Sequence, residues 1–265
     1  MRVLFMGTSN FAVPSFEKLI REKFDIVGVV TQPDRPSGRG RKLQASPIKL
    51  IAEKNKLNIF QPEKVREKSV VSQLKRLEPD VIVVIAFGQI LPRAILDIPS
   101  SGCFNIHPSL LPKYRGAAPI QWALINGETE TGITIMLLDE GEDTGDIILQ
   151  KRSEIDPDTD AILLYQQLGN LAPNLLIHVL RRSIDQLPMT QPQENSLATY
   201  APQLTKEHGN VNWNKSAVEI LNLVRGTAIW PQAHAFLRDN LHIKILSCSL
   251  MSINSGKTFP PGTIE

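Results

Sequence analysis

Three residues of this chain combine types and spacing that could do chemistry: Asn105, His107 and Asp143. The first two lie in the run Gly102-Cys103-Phe104-Asn105-Ile106-His107-Pro108, which reads as a strand entering from the interior. Residues i and i+2 of a strand share a face, so the amide and the imidazole project side by side. Pro108 has no N–H to continue a central ladder and should end the strand. The amide is a fixed donor; the imidazole can donate, accept or carry charge near neutral pH. A carboxylate beside it would orient the ring and favour its protonated form. Asp143, in the turn Gly141-Glu142-Asp143-Thr144-Gly145, can supply that carboxylate. The alternative for an isolated Asn-x-His pair is a turn cap with a surface histidine.

The elements that must position these residues follow from pattern. Arg2 to Met6 and Ile26 to Val30 read as strands, with a helix at Pro14 to Glu22 between them. Pro47 to Lys54 reads as a helix capped by Ser46, with proline at its first position. A helix around Glu67 to Leu77 precedes Val81 to Phe87, an uninterrupted apolar run that implies burial on both faces. Strands alternating with helices predict a parallel, doubly wound α/β sheet. Thr134 to Leu138 and Asp146 to Lys151 flank the acidic turn closely enough to form a hairpin, which makes the later sheet mixed. Ala161 to Leu187 reads as one long helix, or two broken near Pro173. Pro188 to Pro202 has little apolar periodicity and reads as a linker. A second module begins beyond it, with a helix at Ser216 to Val224 and then short strands.

Composition bounds the function. At 265 residues the chain can bury a substantial core and form two domains. Two cysteines, Cys103 and Cys248, make neither a disulfide framework nor a CxxC metal pattern, and a reducing cytoplasm fits. No apolar run is long enough to span a bilayer, and the first residues read as a strand and not a signal peptide. With 29 Lys and Arg against 27 Asp and Glu, net charge is only +2, so any nucleic-acid contact must use local charge. Such charge sits in Arg35, Arg39, Arg41 and Lys42. Gly7 to Ala12 departs from G-x-G-x-x-G and is a weak nucleotide fingerprint. The acidic turn from Asp139 to Asp146 lacks the ligand spacing of a calcium loop, and no metal is expected. Ser109 follows His107 without a G-x-S-x-G elbow, so a hydrolase reading is weak. An RNA-binding protein with an inert α/β domain is a further alternative.

His107 is followed in order by Ser109-Leu110-Leu111-Pro112, by Tyr114-Arg115-Gly116-Ala117-Ala118-Pro119-Ile120, and by Asp143-Thr144-Gly145-Asp146. This succession resembles the folate-dependent formyltransferases. Their shared catalytic trio, carried over, falls on Asn105, His107 and Asp143. The loop Thr31 to Leu43 is similar to the one with which family members acting on methionyl initiator tRNA enter the acceptor end. The resemblance assigns tRNA contacts to Arg35, Arg39, Arg41 and Lys42. Tyr200 to Lys206, Arg225-Gly226 and Trp230-Pro231 resemble the start of those members' second domain, an OB-like barrel. Asn212 and Ile229 depart from the family's common residues there.

The resemblance implies a Rossmann-like, mostly parallel sheet followed by a smaller OB-like β-barrel. It divides the chain into a catalytic domain at 1–188, a linker at 189–203 and a tRNA-docking domain at 204–265. The sequence stops before the family's barrel would be complete, so a shortened protein or a fragment is expected. The implied reaction moves a formyl group from 10-formyltetrahydrofolate to the α-amine of methionyl initiator tRNA, in translation initiation, by a cytoplasmic monomer. By the same analogy the folate pocket takes in Ile90, Leu91, Ser109, Leu110, Leu111, Pro112 and Leu138. For Ile90 and Leu91, plain core packing is an equal alternative.

Overall fold

The computed structural model describes residues 1–37, 42–183, 189–237, 241–251 and 260–263. Its centre is a seven-stranded sheet ordered β5-β2-β1-β6-β7-β8-β9. The strands are β1 (Arg2–Gly7), β2 (Asp25–Val30), β5 (Ile59–Phe60), β6 (Val81–Ile85), β7 (Cys103–His107), β8 (Glu130–Leu137) and β9 (Ile147–Glu154). Pairings are parallel from β5 through β7; β8 and β9 are antiparallel, joined through the acidic turn. The mixed sheet expected from the hairpin is therefore present.

Alternation sorts the core into two layers. Val3 and Phe5 of β1 join Val81, Val83 and Ile85 of β6 on one face. Leu4 and Met6 join Ile82 and Val84 on the other. All five residues of β6 are buried, as a central parallel strand requires. The first face is covered by α1 (Val13–Arg21) and α6 (Ala161–Arg182). The helix α6 is continuous through Pro173, which lies inside it. An interior proline costs about 3 kcal/mol; burial of Leu164, Leu168, Leu176 and Leu180 along the same face offsets it. Asp160 caps α6, accepting from the Ile162 and Leu163 amides. The second face carries α3 (Lys68–Lys75) and the short α4 (Arg93–Leu96), while α2 (Pro47–Lys54) adds to the first. Ser46 caps α2 as the sequence predicts, 3.0 Å from the Lys49 amide.

Two features went beyond the pattern. The stretch read as one basic loop contains a strand pair, β3 (Arg35–Ser37) and β4 (Lys42–Gln44). Its base is fixed by Asp34, whose carboxylate accepts from Lys49 Nζ at 2.6 Å and Gln61 Nε2 at 2.8 Å. The Lys49 contact and then Gln61 hold the Asp34 carboxyl below its ordinary range. The second feature is α5 (Pro119–Ile125), which supports the smaller C-terminal unit. That unit has α7 (Ala217–Gly226) and an antiparallel pair, β10 (Ala233–Phe236) and β11 (His242–Ile245), around Val211, Val224 and Ala233. Trp122 of α5 donates to the Pro202 carbonyl at 2.8 Å and meets His208 edge-on; Arg225 donates to the Pro157 carbonyl.

The segment 189–203 is not a free linker. Gln191 exchanges backbone hydrogen bonds with Ile147, and Ala201 both donates to the Arg115 carbonyl and accepts from Ala118. Polar composition hides such a strap from a periodicity reading, because its partners are backbone groups and not an apolar face.

Candidate active site

In this sheet the chain leaves β1 toward β2 on one side and returns to β6 on the other. Open α/β sheets bind ligands at that reversal, beyond the carboxyl ends of the strands. A cleft of about 670 Å³ lies there, within the range of small-molecule sites. Its apolar walls include Val84, Phe87, Ile90, Leu91, Ile106 and Leu138; Asn105, His107, Asp139, Glu142 and Asp143 bring polar groups to it.

Local sequence explains the approach of the walls. After β6 the chain turns through Ala86 and Gly88, both at positive φ. Phe87 is buried, and its carbonyl accepts from Thr8 Oγ1 and Gln32 Nε2. Gln89 accepts from the Val65 amide and donates to the Pro62 carbonyl. The loop is thereby held with Leu91 buried and Ile90 89% exposed at the rim. An isoleucine that open to solvent is not core packing, whereas Leu91 serves both the core and the cleft.

Asn105 and His107 project from one face of β7, and Asp143 meets both. Asn105 Nδ2 lies 3.4 Å from Asp143 Oδ1, and His107 Nδ1 lies 3.4 Å from Asp143 Oδ2. The Gly116 amide donates to the same Oδ2 at 2.9 Å. On its other edge His107 Nε2 is 2.8 Å from the Tyr114 carbonyl. A carbonyl can only accept, so Nε2 carries hydrogen. The ring nitrogen left for proton exchange is then Nδ1, which faces Asp143 Oδ2. The surface-histidine alternative fails, because His107 is only 4% exposed.

The acidic turn is built for this position. Asp143 itself is at φ +54, a left-handed conformation that Asp tolerates better than most residues. Asp139 closes the turn by accepting from the Gly141 amide and Thr144 Oγ1. At Gly145 a Cβ would stand 1.9 Å from the Leu137 carbonyl oxygen, so only glycine lets the turn rejoin β9. Gly116, at φ +114, aims its amide at Asp143. Burial pushes the neighbouring Tyr114 phenol up to about 12, and its hydroxyl donates to Glu128 at 2.8 Å.

Of the expected folate-pocket residues, Ile90, Leu91 and Leu138 line the cleft. Ser109, Leu110, Leu111 and Pro112 do not. Pro108 stops β7 and the chain folds back: Thr134 Oγ1 accepts from the Leu111 amide and donates to the Ser109 carbonyl, tying this turn to β8. Leu110 to Pro112 then line a separate depression of about 300 Å³ with Gln150 and Arg152. Ser109 is fully buried, and its hydroxyl donates to the Lys113 carbonyl, which leaves no support for a serine nucleophile. In the basic loop, Arg35 pairs with Glu63 at 2.5 Å on the surface; Arg39, Arg41 and the Lys42 side chain lie outside the described residues.

Sequence reasoning missed Gln193. Its Nε2 donates to the Asp143 carbonyl at 2.8 Å and the Gly145 carbonyl at 2.7 Å. Its Oε1 accepts from Arg115 Nε and Nη2. A half-buried glutamine in a polar stretch carries no pattern that would single it out.

A formyl transferase family model matches residues 1–180, and a model of the formyl transferase C-terminal domain matches residues 203–265. The methionyl-tRNA formyltransferase of Geobacter sulfurreducens is 47% identical over 264 residues, covering 100% of this chain and 82% of that protein. The one from Acetivibrio thermocellus is likewise 47% identical over 264 residues, covering 84% of its length. Solved structures share the fold at lower identity. An N-formyltransferase from Helicobacter canadensis in complex with folinic acid and dTDP-3-aminofucose aligns with a TM-score of 0.73 at 24% identity, covering 97% of this chain and 90% of that one. A 4-N formyltransferase from Francisella tularensis aligns with a TM-score of 0.75 at 19% identity, covering 95% and 98%.

Proposed function

This chain belongs to the formyl transferase family, and from that premise we propose that it transfers a formyl group from 10-formyltetrahydrofolate to the α-amine of methionine on initiator tRNA. The observation that carries the reading is the meeting of Asn105, His107 and Asp143 at the cleft. The acceptor is drawn from relatives named for methionyl-tRNA that are 47% identical along the whole chain.

The amine must attack the formyl carbon unprotonated. As the new C–N bond forms, the carbon becomes tetrahedral and its oxygen gains negative charge. Breaking the bond to the folate nitrogen then completes the transfer. Preorganised donors at such an oxygen are worth about 3–4 kcal/mol each. Asn105 has an amide hydrogen to spare beyond the one facing Asp143. His107, once Nδ1 has taken the proton that the amine loses, offers Nδ1–H, with Asp143 orienting the ring. The amine nitrogen loses one proton and the folate nitrogen gains one; the His107–Asp143 pair carries both. The apolar space between Ile90, Leu91 and Leu138 suits a pterin ring, with Asp139 and Asp143 beside it for its ring donors.

The division of labour belongs to the same proposal. Residues 1–188 hold the chemistry, 189–203 strap the site, and 204–265 dock tRNA, while Arg35, Arg39, Arg41 and Lys42 contact its phosphates. Incubating the protein with formyl-folate and methionyl-tRNA tests the function. Formyl-methionyl-tRNA is the expected product. Formate release that does not need tRNA would indicate a hydrolase, and tRNA binding without turnover would indicate an RNA-binding protein.

A further inference from the structure

Asp143 is held at two levels. Its carboxylate is engaged by Asn105, His107 and the Gly116 amide, while its own carbonyl, with that of Gly145, accepts from Gln193 Nε2. The opposite end of the Gln193 amide accepts two hydrogen bonds from Arg115, at 3.1 Å and 2.8 Å. Arg115 is 3% exposed, and Nη2 also donates to Asn195 Oδ1 at 2.8 Å. Its backbone neighbours are the two residues that complete the site from behind: the Tyr114 carbonyl fixes His107 Nε2, and the Gly116 amide fixes Asp143.

One side-chain amide thus joins the turn that carries the carboxylate to the loop that orients the imidazole. An amide is the group this needs, because it donates at one end and accepts at the other in a fixed plane. A carboxylate could serve Arg115 and would repel the two carbonyls. An aliphatic side chain of similar size would serve neither.

Building on the formyl-transfer reading, we infer that Gln193, through Arg115, is a positioning residue of the reaction. It sets the register of Asp143 against His107 from the strap that leads to the C-terminal unit. The donor half of its amide governs turnover; the acceptor half mainly keeps the buried guanidinium paired. Small displacements matter here because general-acid and oxyanion geometry tolerates little error.

The test uses the full chain with Gln193→Glu and Gln193→Leu. Gln193→Glu should keep Arg115 paired and the melting temperature near that of the parent. Its kcat for formyl transfer should fall by about tenfold or more, with KM for folate and tRNA changed less than about twofold. Gln193→Leu should lose a similar factor in kcat and also melt earlier. A readout without substrate accompanies these: the Gly116 amide should exchange with deuterium at least about tenfold faster in both variants as its bond to Asp143 loosens. A Gln193→Glu protein with parental kcat and parental Gly116 exchange overturns the inference, and so does a kcat loss confined to Gln193→Leu that tracks its melting temperature. If the parent protein itself forms no formyl-methionyl-tRNA, the reaction assigned above fails, while faster Gly116 exchange in Gln193→Glu still establishes the positioning contact.

Discussion

His107 donates from Nε2 to the Tyr114 carbonyl, so Nδ1, facing Asp143, is the ring nitrogen left for the proposed chemistry. Removing the ring therefore removes a donor and the partner of the carboxylate together. His107→Ala and Asn105→Ala should each lower kcat by about 10²–10³-fold, the scale of a lost donor at a developing oxyanion. Single-turnover formylation measures this, with circular dichroism to check the fold. Asp143→Asn can still accept from Gly116 through its oxygen but no longer presents a carboxylate to His107 Nδ1; a loss of about 10²-fold or more is expected in the same assay. The cysteines give a prediction independent of function. Burial pushes the Cys103 thiol up to about 12, and Cys248 is exposed. At pH 8 only about one Cys103 in ten thousand is thiolate. Iodoacetamide at that pH should label Cys248 on the native protein and Cys103 only after denaturation; mass spectrometry of the two peptides is the check.

Among the elements, the β3–β4 hairpin separates anchoring from contact. Asp34, Lys49 and Gln61 form its base, and Arg35 is engaged with Glu63. The charges assigned to tRNA beyond that base are Arg39, Arg41 and Lys42. Each phosphate contact contributes about 0.7–0.9 to the slope of log affinity against log salt. Replacing all three with alanine should flatten the tRNA slope by roughly two to three units. Folate binding should be unchanged, because the described residues lining the cleft come from other elements. Equal loss of both affinities would make the hairpin part of the folate site. A further element-scale lesson comes from β7. Its i, i+2 geometry was readable from sequence, as was its stop at Pro108. The direction of the following turn was not: pairing with β8 draws Ser109 to Pro112 away from the cleft.

For the whole molecule, every described residue lining the cleft precedes the strap, and the C-terminal unit rests on α5 through the Trp122–His208 contact and α7. A chain ending after Pro202 should keep the folate pocket and lose tRNA affinity. It retains the Ala201 and Gln193 contacts to the site loop. Calorimetry with a folate analogue should give a dissociation constant close to that of the full chain. The salt slope for tRNA should fall by roughly two to four units. Unaltered tRNA binding would place recognition in the first unit alone. The same truncation bares the α5 face, so a lower melting temperature is expected beside an intact pocket.

The fold class was legible because it rests on local rules: β-branched runs buried on both faces, helices between them, the Ser46 cap, and a proline that ends a strand. The trio was legible for a mixed reason. Asn105 and His107 share a face by strand geometry alone, whereas Asp143, distant in sequence, was tied to them by resemblance and then by its hydrogen bonds in the folded chain. Three things only the tertiary structure decided. It committed His107 Nε2 to the Tyr114 carbonyl, fixing which ring nitrogen is available. It turned Leu110 to Pro112 toward a separate depression. It made a strap of the polar segment that holds Gln193 against Asp143. In each case a backbone carbonyl or amide takes part: that of Tyr114, those of Ser109 and Leu111 held by the Thr134 hydroxyl, and that of Asp143. Every residue carries those groups, so no side-chain pattern marks which ones will meet; chain closure around the sheet settles it.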